Sequence, residues 1–356
     1  MTKVICKSAA LLILLPSAAL SCSAQTNQTQ TKPVQIDRAY QYFRVGNTSD
    51  AQVKPQAGYA LMGGGTDLDE AFVWLCARAN GGDLLVLRAT GTDEYNEYIQ
   101  KLCHLNSVAT LVIPNRDAAN DPFVEKKIRS ASAIFISGGD QSNYIRYWEH
   151  SPVQTALNDE IARGVPLGGT SAGLAVMGDF SYTAMGDKPD EPNLDGKTAL
   201  MNPLSPRISL DRGFLRIPIL EHIITDTHFA KRDRMGRLLV FLARICSPSV
   251  LATLSLDPEV RGIGVEERAA VLLEPDGHAK VVGNGSAYFI HPGMATSNVP
   301  PDPDRPMPLT YGPYAVQKVA SGQTFNLKSW TGSATAYSLS VKDGTIHSTQ
   351  AGGAIY

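Results

Sequence analysis

Short apolar runs that alternate with helical patterns restrict the fold of this chain more than any other feature. Such runs start at residues 59, 84, 109, 133 and 165, and helical patterns fill the intervals at 68–79, 94–105, 122–129 and 153–163. Continuously apolar runs are typical of strands covered on both faces. Repeated β-α units of this length require right-handed crossovers and a parallel sheet. The sequence therefore predicts an α/β fold with three layers, αβα, around a mainly parallel sheet.

Two regions depart from that alternation. Residues 186–213 contain four prolines and predict a long loop excursion, a feature that often borders a functional site. From residue 297 a proline-rich stretch leads into alternating polar and apolar positions, which predict a small β appendage over 297–356. We therefore expect one main domain over 36–296, with the excursion inside it and the appendage after it.

The first 24 residues predict an export signal. Lys3 and Lys7 precede an apolar run at 9–20 that is too short to span a membrane comfortably, and small residues follow it. Cys22 lies near the position of a lipidated cysteine, and both lipidation and simple cleavage stay open. The polar residues 25–35 predict a tether. We expect an exported protein that is periplasmic, extracellular or lipid-anchored at the cell surface.

Charge and cysteine content exclude several functions. A net charge of -2 and a pI near 6.4 give no general attraction to nucleic acid or acidic lipid, so membrane contact would come only through a lipid anchor. Cys76, Cys103 and Cys246 follow the export segment, and their spacing is not that of a zinc site. They are too few for a disulfide framework. We expect three buried thiols, with a Cys76–Cys103 bridge as the alternative in an oxidising compartment.

A strand, a small-residue turn and a helix follow one another over residues 166–177, with the sequence PLGGTSAGLAVM. This is the context of a nucleophile elbow, in which a serine stands at the carboxyl end of a strand and at a helix N-terminus. Ser171 is the candidate nucleophile, and the N–H of Ala172 is a candidate donor to an oxyanion. The alternative is a glycine-rich turn that only packs tightly.

A serine hydroxyl needs a base to remove its proton, and the base needs a group that orients it. Of the seven histidines, His228 follows an apolar run that should deliver it to the crevice of Ser171. Asp226 lies two residues earlier on the same predicted strand, while Glu266 and Glu267 follow another short apolar run. Each of these acids is a candidate for orienting the imidazole, and each could equally be a solvated charge.

Another glycine-rich turn, SGGDQ at 137–141, follows a predicted buried strand. It should open at the sheet edge where open α/β sheets bind ligands. The N–H of Gly139 could donate to an oxyanion, and Gln141 could hydrogen-bond a substrate. The turn GGG at 63–65 is a weaker indication, because it lacks the spacing of phosphate-binding loops.

Three arginines follow His228 closely, at Arg232, Arg234 and Arg237. Guanidinium groups bind carboxylates through paired hydrogen bonds, so a cluster beside a catalytic base predicts an acidic group on the substrate. The alternative is a solvated basic start of a helix.

Together these segments resemble the cyanophycinase family of serine exopeptidases, which also includes aspartyl dipeptidase (dipeptidase E). The resemblance covers about residues 57–291 and rests on five ordered motifs, at 138–141, 168–173, 226–229, 232–237 and 262–267. It implies a fold like that of class I glutamine amidotransferases, which is flavodoxin-like. It also implies a homodimer that needs neither a cofactor nor a metal.

The resemblance implies Ser171 as nucleophile, His228 as base, Glu267 as the orienting acid, and Gly139 and Ala172 as oxyanion donors. The positions that match substrate-binding residues are Gln141, Asp226, Arg232, Arg234 and Arg237. The implied reaction releases β-aspartyl-arginine from cyanophycin, a poly-aspartate polymer with arginine side groups, through an acyl-enzyme. Two alternatives are an α-aspartyl dipeptidase and, from another class, a non-catalytic binding protein on a hydrolase scaffold.

Departures from the family concern the substrate more than the chemistry. Thr227 stands where cyanophycinases carry Gln, and the excursion at 186–213 is longer and different. The order Ser, His, Glu differs from the Ser, acid, His order of lipases and esterases. The elbow also lacks the nucleophilic cysteine of an amidotransferase.

Overall fold

A computed structural model describes residues 39–188, 191, 193–254, 259–293 and 307–356. The expected export signal, which includes Cys22, lies outside these residues. So do the expected tether, the expected boundary at residue 297 and three positions of the excursion. The described strands, in chain order, are β1 Gln41–Gly46, β2 Tyr59–Met62, β3 Asp83–Arg88, β4 Ser107–Val112, β5 Ala133–Ile136, β6 Leu167–Thr170, β7 Phe180–Tyr182, β8 Leu210–Arg212, β9 Ile223–Asp226, β10 Arg261–Val265, β11 Ala269–Leu273, β12 His278–Gly283, β13 Ser286–Pro292, β14 Tyr311–Ala320, β15 Thr324–Asn326, β16 Thr331–Gly332, β17 Thr335–Lys342 and β18 Thr345–Ser348.

Helices connect the strands and pack against both sheets. They are α1 Asp69–Arg78, α2 Asn96–Cys103, α3 Arg116–Ala119, α4 Pro122–Arg129, α5 Gln141–Trp148, α6 Pro152–Ala162, α7 Ala172–Ala175, α8 Gly196–Met201, α9 Met235–Ile245 and α10 Pro248–Leu254, with 3-10 turns at Pro218–Leu220 and Ala351–Gly353. Within the described ranges no single helix is long and apolar enough to cross a membrane. Helices α9 and α10 meet that test only as a pair, across a 61° bend.

A run of parallel strands, in the order β4-β3-β5-β6-β2, forms the centre of the first sheet. Strands β2, β5 and β6 are buried along their whole length, as expected of strands covered on both faces. Antiparallel strands extend this sheet on either side, β1 at one edge and β11, β12, β15 and β16 at the other. The prediction of an α/β fold is confirmed, but the sheet is mixed: four of its pairings, all at the centre, are parallel and five are antiparallel.

A second sheet has the order β18-β17-β14-β13-β10-β9-β7-β8. Its strands β9 and β10 are parallel, with Asp226 opposite Gly264, so both chains leave the sheet at the same edge. One apolar core joins side chains of both sheets, for example Leu61 of β2 and Ile263 of β10. Because of this packing, residues that follow strands of different sheets can meet.

The segment after residue 307 adds strands to both sheets. Strand β14 pairs with β13 over seven positions, from Ser286 opposite Ala320 to Pro292 opposite Tyr314. Strand β15 pairs with β12 in the first sheet. The strands of the predicted appendage thus continue the two sheets of the main domain.

The expectation of three free thiols is wrong. Cys76 and Cys103 form a disulfide, with 6.0 Å between their Cα atoms. The bridge forms because α1 and α2 pack against each other on one face of the first sheet. Cys246 is free, and burial raises the pKa of its thiol to about 12.

Candidate active site

Ser171 stands in a sharp turn between β6 and α7. Its φ of 51° and ψ of -117° are unusual for a residue with a side chain, and its N–H donates to the carbonyl of Met62 on the neighbouring strand. Glycines make the turn feasible: a Cβ on Gly173 would lie 2.0 Å from the carbonyl oxygen of Ile136. This is the strand-turn-helix geometry of a nucleophile elbow.

A chain of hydrogen bonds joins Ser171, His228 and Glu267. The Ser171 Oγ lies 2.7 Å from His228 Nε2, and His228 Nδ1 lies 2.6 Å from Glu267 Oε1. His228 follows β9 and is buried, while Glu267 follows β10 and is 27% exposed. The structure therefore brings together a hydroxyl, an imidazole and a carboxylate from three separate segments, in the order needed to activate the hydroxyl.

Burial and neighbouring charges act on this chain in opposite directions. Burial lowers the pKa of His228, the hydrogen bond that its Nδ1–H donates to Glu267 opposes that effect, and the positive charges of Arg232 and Arg234 add to the lowering. The same hydrogen bond lowers the pKa of Glu267. The imidazole is thus neutral, and the carboxylate ionised, near neutral pH. A neutral imidazole is the form that can accept a proton from a hydroxyl.

The glycine turn at 63–65 forms the surface on which the imidazole lies. The carbonyl of Gly63 accepts a hydrogen bond from the N–H of His228. The N–H of Gly63 donates to the carbonyl of Ala269. A Cβ on Gly64 would stand 2.5 Å from His228 Cε1, and one on Gly65 would stand 3.3 Å from Glu267 Oε2. Sequence reasoning gave this turn little weight. Its position after β2, the strand that pairs with β6, is the indication that could have identified it.

Asp67 is a second residue that sequence reasoning missed. Its carboxylate accepts hydrogen bonds from the hydroxyl of Thr170, at 2.5 Å, and from the hydroxyl of Tyr95, at 2.6 Å. Burial raises the pKa of Asp67, and the two hydrogen bonds oppose that effect. Thr170 directly precedes Ser171, so Asp67 ties the turn at 63–65 to the strand that carries the serine.

Asp226 does not contact the imidazole. Its carboxylate pairs with the guanidinium of Arg237, with Nε 2.7 Å from Oδ2, and both side chains are 2% exposed. Arg237 also donates to the carbonyl of Leu194 in the excursion. The structure therefore places Asp226 and Arg237 behind the site, paired with each other.

Arg234 lies between that buried pair and the base. It donates to the carbonyl and the hydroxyl of Thr227, at 3.0 and 3.1 Å, and more weakly to the Oδ1 of Asn193. Burial, together with the charge of Arg237, lowers the pKa of Arg234 to about 9. Thr227, the residue that departs from the family, is thus a ligand of this guanidinium.

Arg232 is the most open member of the arginine cluster. Its side chain is 47% exposed, and its Nε lies 4.0 Å from Glu267 Oε1. Of the three arginines, it is the one whose side chain reaches solvent beside the base.

The SGGDQ turn borders the serine from the side of β5. A Cβ on Gly138 would stand 3.4 Å from the Cβ of Ser171, and Gly139 follows with a φ of +147°. Gln141 is the first residue of α5, and its Nε2 lies 3.4 Å from the carbonyl of Tyr182. Ala172 is buried as the first residue of α7, where a backbone N–H has no acceptor within the helix. In the part of the chain that the structure describes, no group of three or more His, Cys, Asp or Glu side chains could hold a metal ion.

Comparisons with known proteins agree on one family. A family model described as Peptidase family S51 matches residues 61–235. The cyanophycinase of Nostoc sp. (strain PCC 7120 / SAG 25.82 / UTEX 2576) is 27% identical over 223 residues, which are 62% of this chain and 65% of that protein. The cyanophycinase of Synechococcus elongatus is 25% identical over 261 residues, 71% of this chain and 73% of that protein. The chain thus spans about 65% of the first of these relatives.

Two solved structures are similar at lower identity. A peptidase from an acI-B1 Actinobacterium has a TM-score of 0.47 and 17% identity, and the match covers 77% of this chain and 98% of that one. A putative peptidase E protein from Listeria monocytogenes EGD-e has a TM-score of 0.37 and 14% identity, with 64% and 96% covered.

Proposed function

Since this chain belongs to peptidase family S51, we propose that it is a serine-type exopeptidase that releases β-aspartyl-arginine from cyanophycin. The observation that carries the proposal is the hydrogen-bond chain from Ser171 through His228 to Glu267. A partly exposed hydroxyl beside a neutral imidazole, with a carboxylate on the far nitrogen, is the arrangement that produces a nucleophilic serine.

Acyl transfer at this site proceeds in two halves. The Ser171 Oγ attacks the carbonyl carbon of the peptide bond while its proton passes to His228 Nε2. The tetrahedral intermediate then expels the amine, which takes that proton, and an ester to Ser171 remains. Water attacks the ester with His228 again as base, the bond to Ser171 Oγ breaks, and the acyl half of the substrate leaves as a carboxylic acid while the hydroxyl is restored. Glu267 holds the ring and stabilises its positive charge.

Negative charge on the substrate oxygen needs donors at the elbow. The N–H of Ala172 lies in the first turn of α7, directly after Ser171, and Gly139 belongs to the turn that borders the same side chain. We propose these two N–H groups as the oxyanion donors. Removal of one donor from such a site costs about 10²- to 10³-fold in turnover.

Unbalanced positive charge supports an acidic substrate. Arg234 and Arg237 share one buried carboxylate, that of Asp226. Arg237 forms a bidentate pair with it, whereas Arg234 lies 3.6 Å from it. Arg232 adds a third positive charge at the surface. Burial and the charge of Arg237 disfavour the charged form of Arg234, and a substrate carboxylate would offset that effect; we propose that Arg232 and Arg234 bind it while Asp226 and Arg237 hold Arg234 in place. Gln141 is proposed as a further substrate contact.

Export and assembly complete the proposal. The disulfide between Cys76 and Cys103 is the kind of bond that persists in oxidising compartments, which supports export. Intact-mass measurement of the protein from membrane and soluble fractions tests it: a lipid on Cys22, or a chain cleaved near residue 24, is expected, and a full-length cytosolic chain contradicts it. A homodimer is proposed from the family alone, and light scattering tests it.

The decisive test is hydrolysis by purified mature protein of cyanophycin and of an α-aspartyl dipeptide, with products identified by mass spectrometry. We expect β-aspartyl-arginine from cyanophycin, and a loss of about 10⁴-fold or more in Ser171→Ala. Ser132→Ala is the matched control, because Ser132 is a buried serine that precedes β5 and so lies at the opposite end of its strand from the site.

Each other outcome rejects a part of the proposal. Activity on α-aspartyl dipeptides alone replaces the polymer by a dipeptide, whose side-chain carboxylate the same arginines could hold. Failure of a serine-reactive probe to label Ser171, together with no hydrolysis, favours a non-catalytic binding protein.

A further inference from the structure

Tyr356 contacts the loop that carries the arginines, although it lies 121 positions beyond the start of α9. Its hydroxyl accepts the N–H of Met235 at 2.9 Å and donates to Oδ1 of Asp233 at 2.9 Å. We propose that Tyr356 is a positioning residue for residues 231–234, here called the arginine loop, and thereby sets the affinity for the acidic substrate. The proposal rests on the function proposed above.

The first of these hydrogen bonds fixes where α9 begins. The N–H groups of a first helical turn need acceptors from outside the helix, and Arg234, the N-cap residue, supplies no side-chain cap of its own in the described structure. The phenol of Tyr356 provides that acceptor for Met235. The helix therefore starts at a fixed point directly after Arg234.

The second hydrogen bond fixes the middle of the arginine loop. Asp233 has a φ of 47°, a left-handed conformation that Asp tolerates better than most residues but that still needs support. It lies between Arg232 and Arg234, whose N–H groups donate to the carbonyls of His228 and Phe229. A hydrogen bond to the Asp233 carboxylate restrains the turn that orients both guanidinium groups.

Aromatic contacts hold the phenol itself in place. Its ring meets Phe229 and Tyr288 edge to face, with centroids 6.0 and 5.8 Å apart. The hydroxyl of Tyr288 donates to Glu266, the neighbour of Glu267. Burial raises the pKa of Tyr356, so the phenol keeps the proton that it donates to Asp233. The ring therefore connects the loop that bears the orienting acid with the loop that bears the arginines.

The test combines Tyr356→Phe with a direct measurement of the loop. Hydrogen exchange at the Met235 amide should become faster, because that N–H loses its acceptor. KM for cyanophycin should rise about tenfold while kcat changes less than about threefold, since loss of one hydrogen bond loosens the substrate contacts and leaves the Ser171–His228–Glu267 chain intact. Asp233→Ala should raise KM similarly, and the double variant should add little to either.

Tyr314→Phe is the matched control. Tyr314 is a buried tyrosine whose hydroxyl donates to the carbonyl of Leu239, at 2.9 Å. Leu239 lies on α9, as Met235 does, but away from the arginine loop. It should lower stability and leave KM unchanged. Unchanged exchange at Met235, or an unchanged KM in Tyr356→Phe, overturns the proposal. If the wild-type protein hydrolyses neither substrate, the proposed function has failed, and exchange at Met235 still decides whether Tyr356 holds the loop.

Discussion

Gly64 lies directly against the ring of His228, so close that a methyl group at Gly64 would stand 2.5 Å from Cε1 and 2.6 Å from Nε2. Any side chain there must displace the imidazole from Ser171. We therefore expect Gly64→Ala to lower kcat/KM about 100-fold or more, as displacements of about 1 Å at a catalytic group do. Kinetics with a soluble β-aspartyl substrate measure the effect.

Gly81→Ala separates the clash from the backbone strain. Gly64 and Gly81 both have a positive φ, +95° and +74°, but a Cβ on Gly81 meets no atom within 4 Å. The backbone strain should cost each variant about 1–2 kcal/mol of stability, because left-handed backbone disfavours a side chain, and only Gly64→Ala adds the clash with the imidazole. Equal activity in the two variants would show that the imidazole tolerates a methyl group beside it.

Glu267 and Asp226 should respond differently to removal of their charge. Glu267→Gln should fold normally and lose up to about 10⁴-fold in kcat, because the imidazole loses the partner of Nδ1. Asp226→Asn should unfold more easily, by about 3–5 kcal/mol, because Arg237 is left buried without its counterion. Urea titrations and kinetics on both variants separate the roles. A stable but inactive Asp226→Asn would reverse them.

The dependence of kcat/KM on pH should report His228. The imidazole must be neutral to accept a proton, so the rate falls as pH drops through its pKa, which burial holds below the ordinary 6.5. Arg232→Gln removes a positive charge that lowers this pKa, so the acid limb should move to higher pH. Glu267→Gln removes a group that raises the pKa of His228, so in that variant the acid limb should move to lower pH.

Arg216→Gln provides the control for that experiment, since it removes the same charge from an exposed position outside the site. Its profile should match that of the wild type. Shifts of the same sign in the Arg232 and Glu267 variants would mean that another group controls the acid limb.

Loss of the disulfide should change stability and leave the chemistry intact. The bridge closes a loop of 27 residues between α1 and α2, for which chain entropy predicts about 3–4 kcal/mol. The double variant Cys76→Ala/Cys103→Ala should therefore show a lower free energy of unfolding in urea and unchanged kcat/KM at 25 °C. Cys246→Ala is the control, because it removes a cysteine that forms no bridge. Reduction of the disulfide with dithiothreitol should lower the free energy of unfolding of this variant as much as that of the wild type.

The sequence predicted the first half of the fold closely because its elements are local. The patterns at 59–62, 122–129 and 133–136 coincide with β2, α4 and β5, and the other predicted helices agree within two residues at each end. Buried strands of parallel sheets are continuously apolar, and this pattern can be read without knowledge of their neighbours.

The second sheet could not be predicted in this way. Pairing of β7 with β9, with Phe180 opposite Ile224, joins residues that are 44 positions apart, and the periodicity of one strand does not specify its partner. Ser171 and His228 follow locally recognisable strands and could be found. The contacts of Gly64, Asp67 and Tyr356 depend on how distant segments pack, so no local pattern could reveal them.

The two sheets share the reacting atoms. Ser171 extends from β6 of the first sheet, whereas His228 follows β9 of the second, so the 2.7 Å contact between them spans the junction. Enzymatic turnover therefore requires that the two sheets are packed against each other, and it reports on that packing. In a denaturant titration, activity should be lost once the two sheets separate. We expect this at a lower denaturant concentration than the loss of helices and strands measured by circular dichroism.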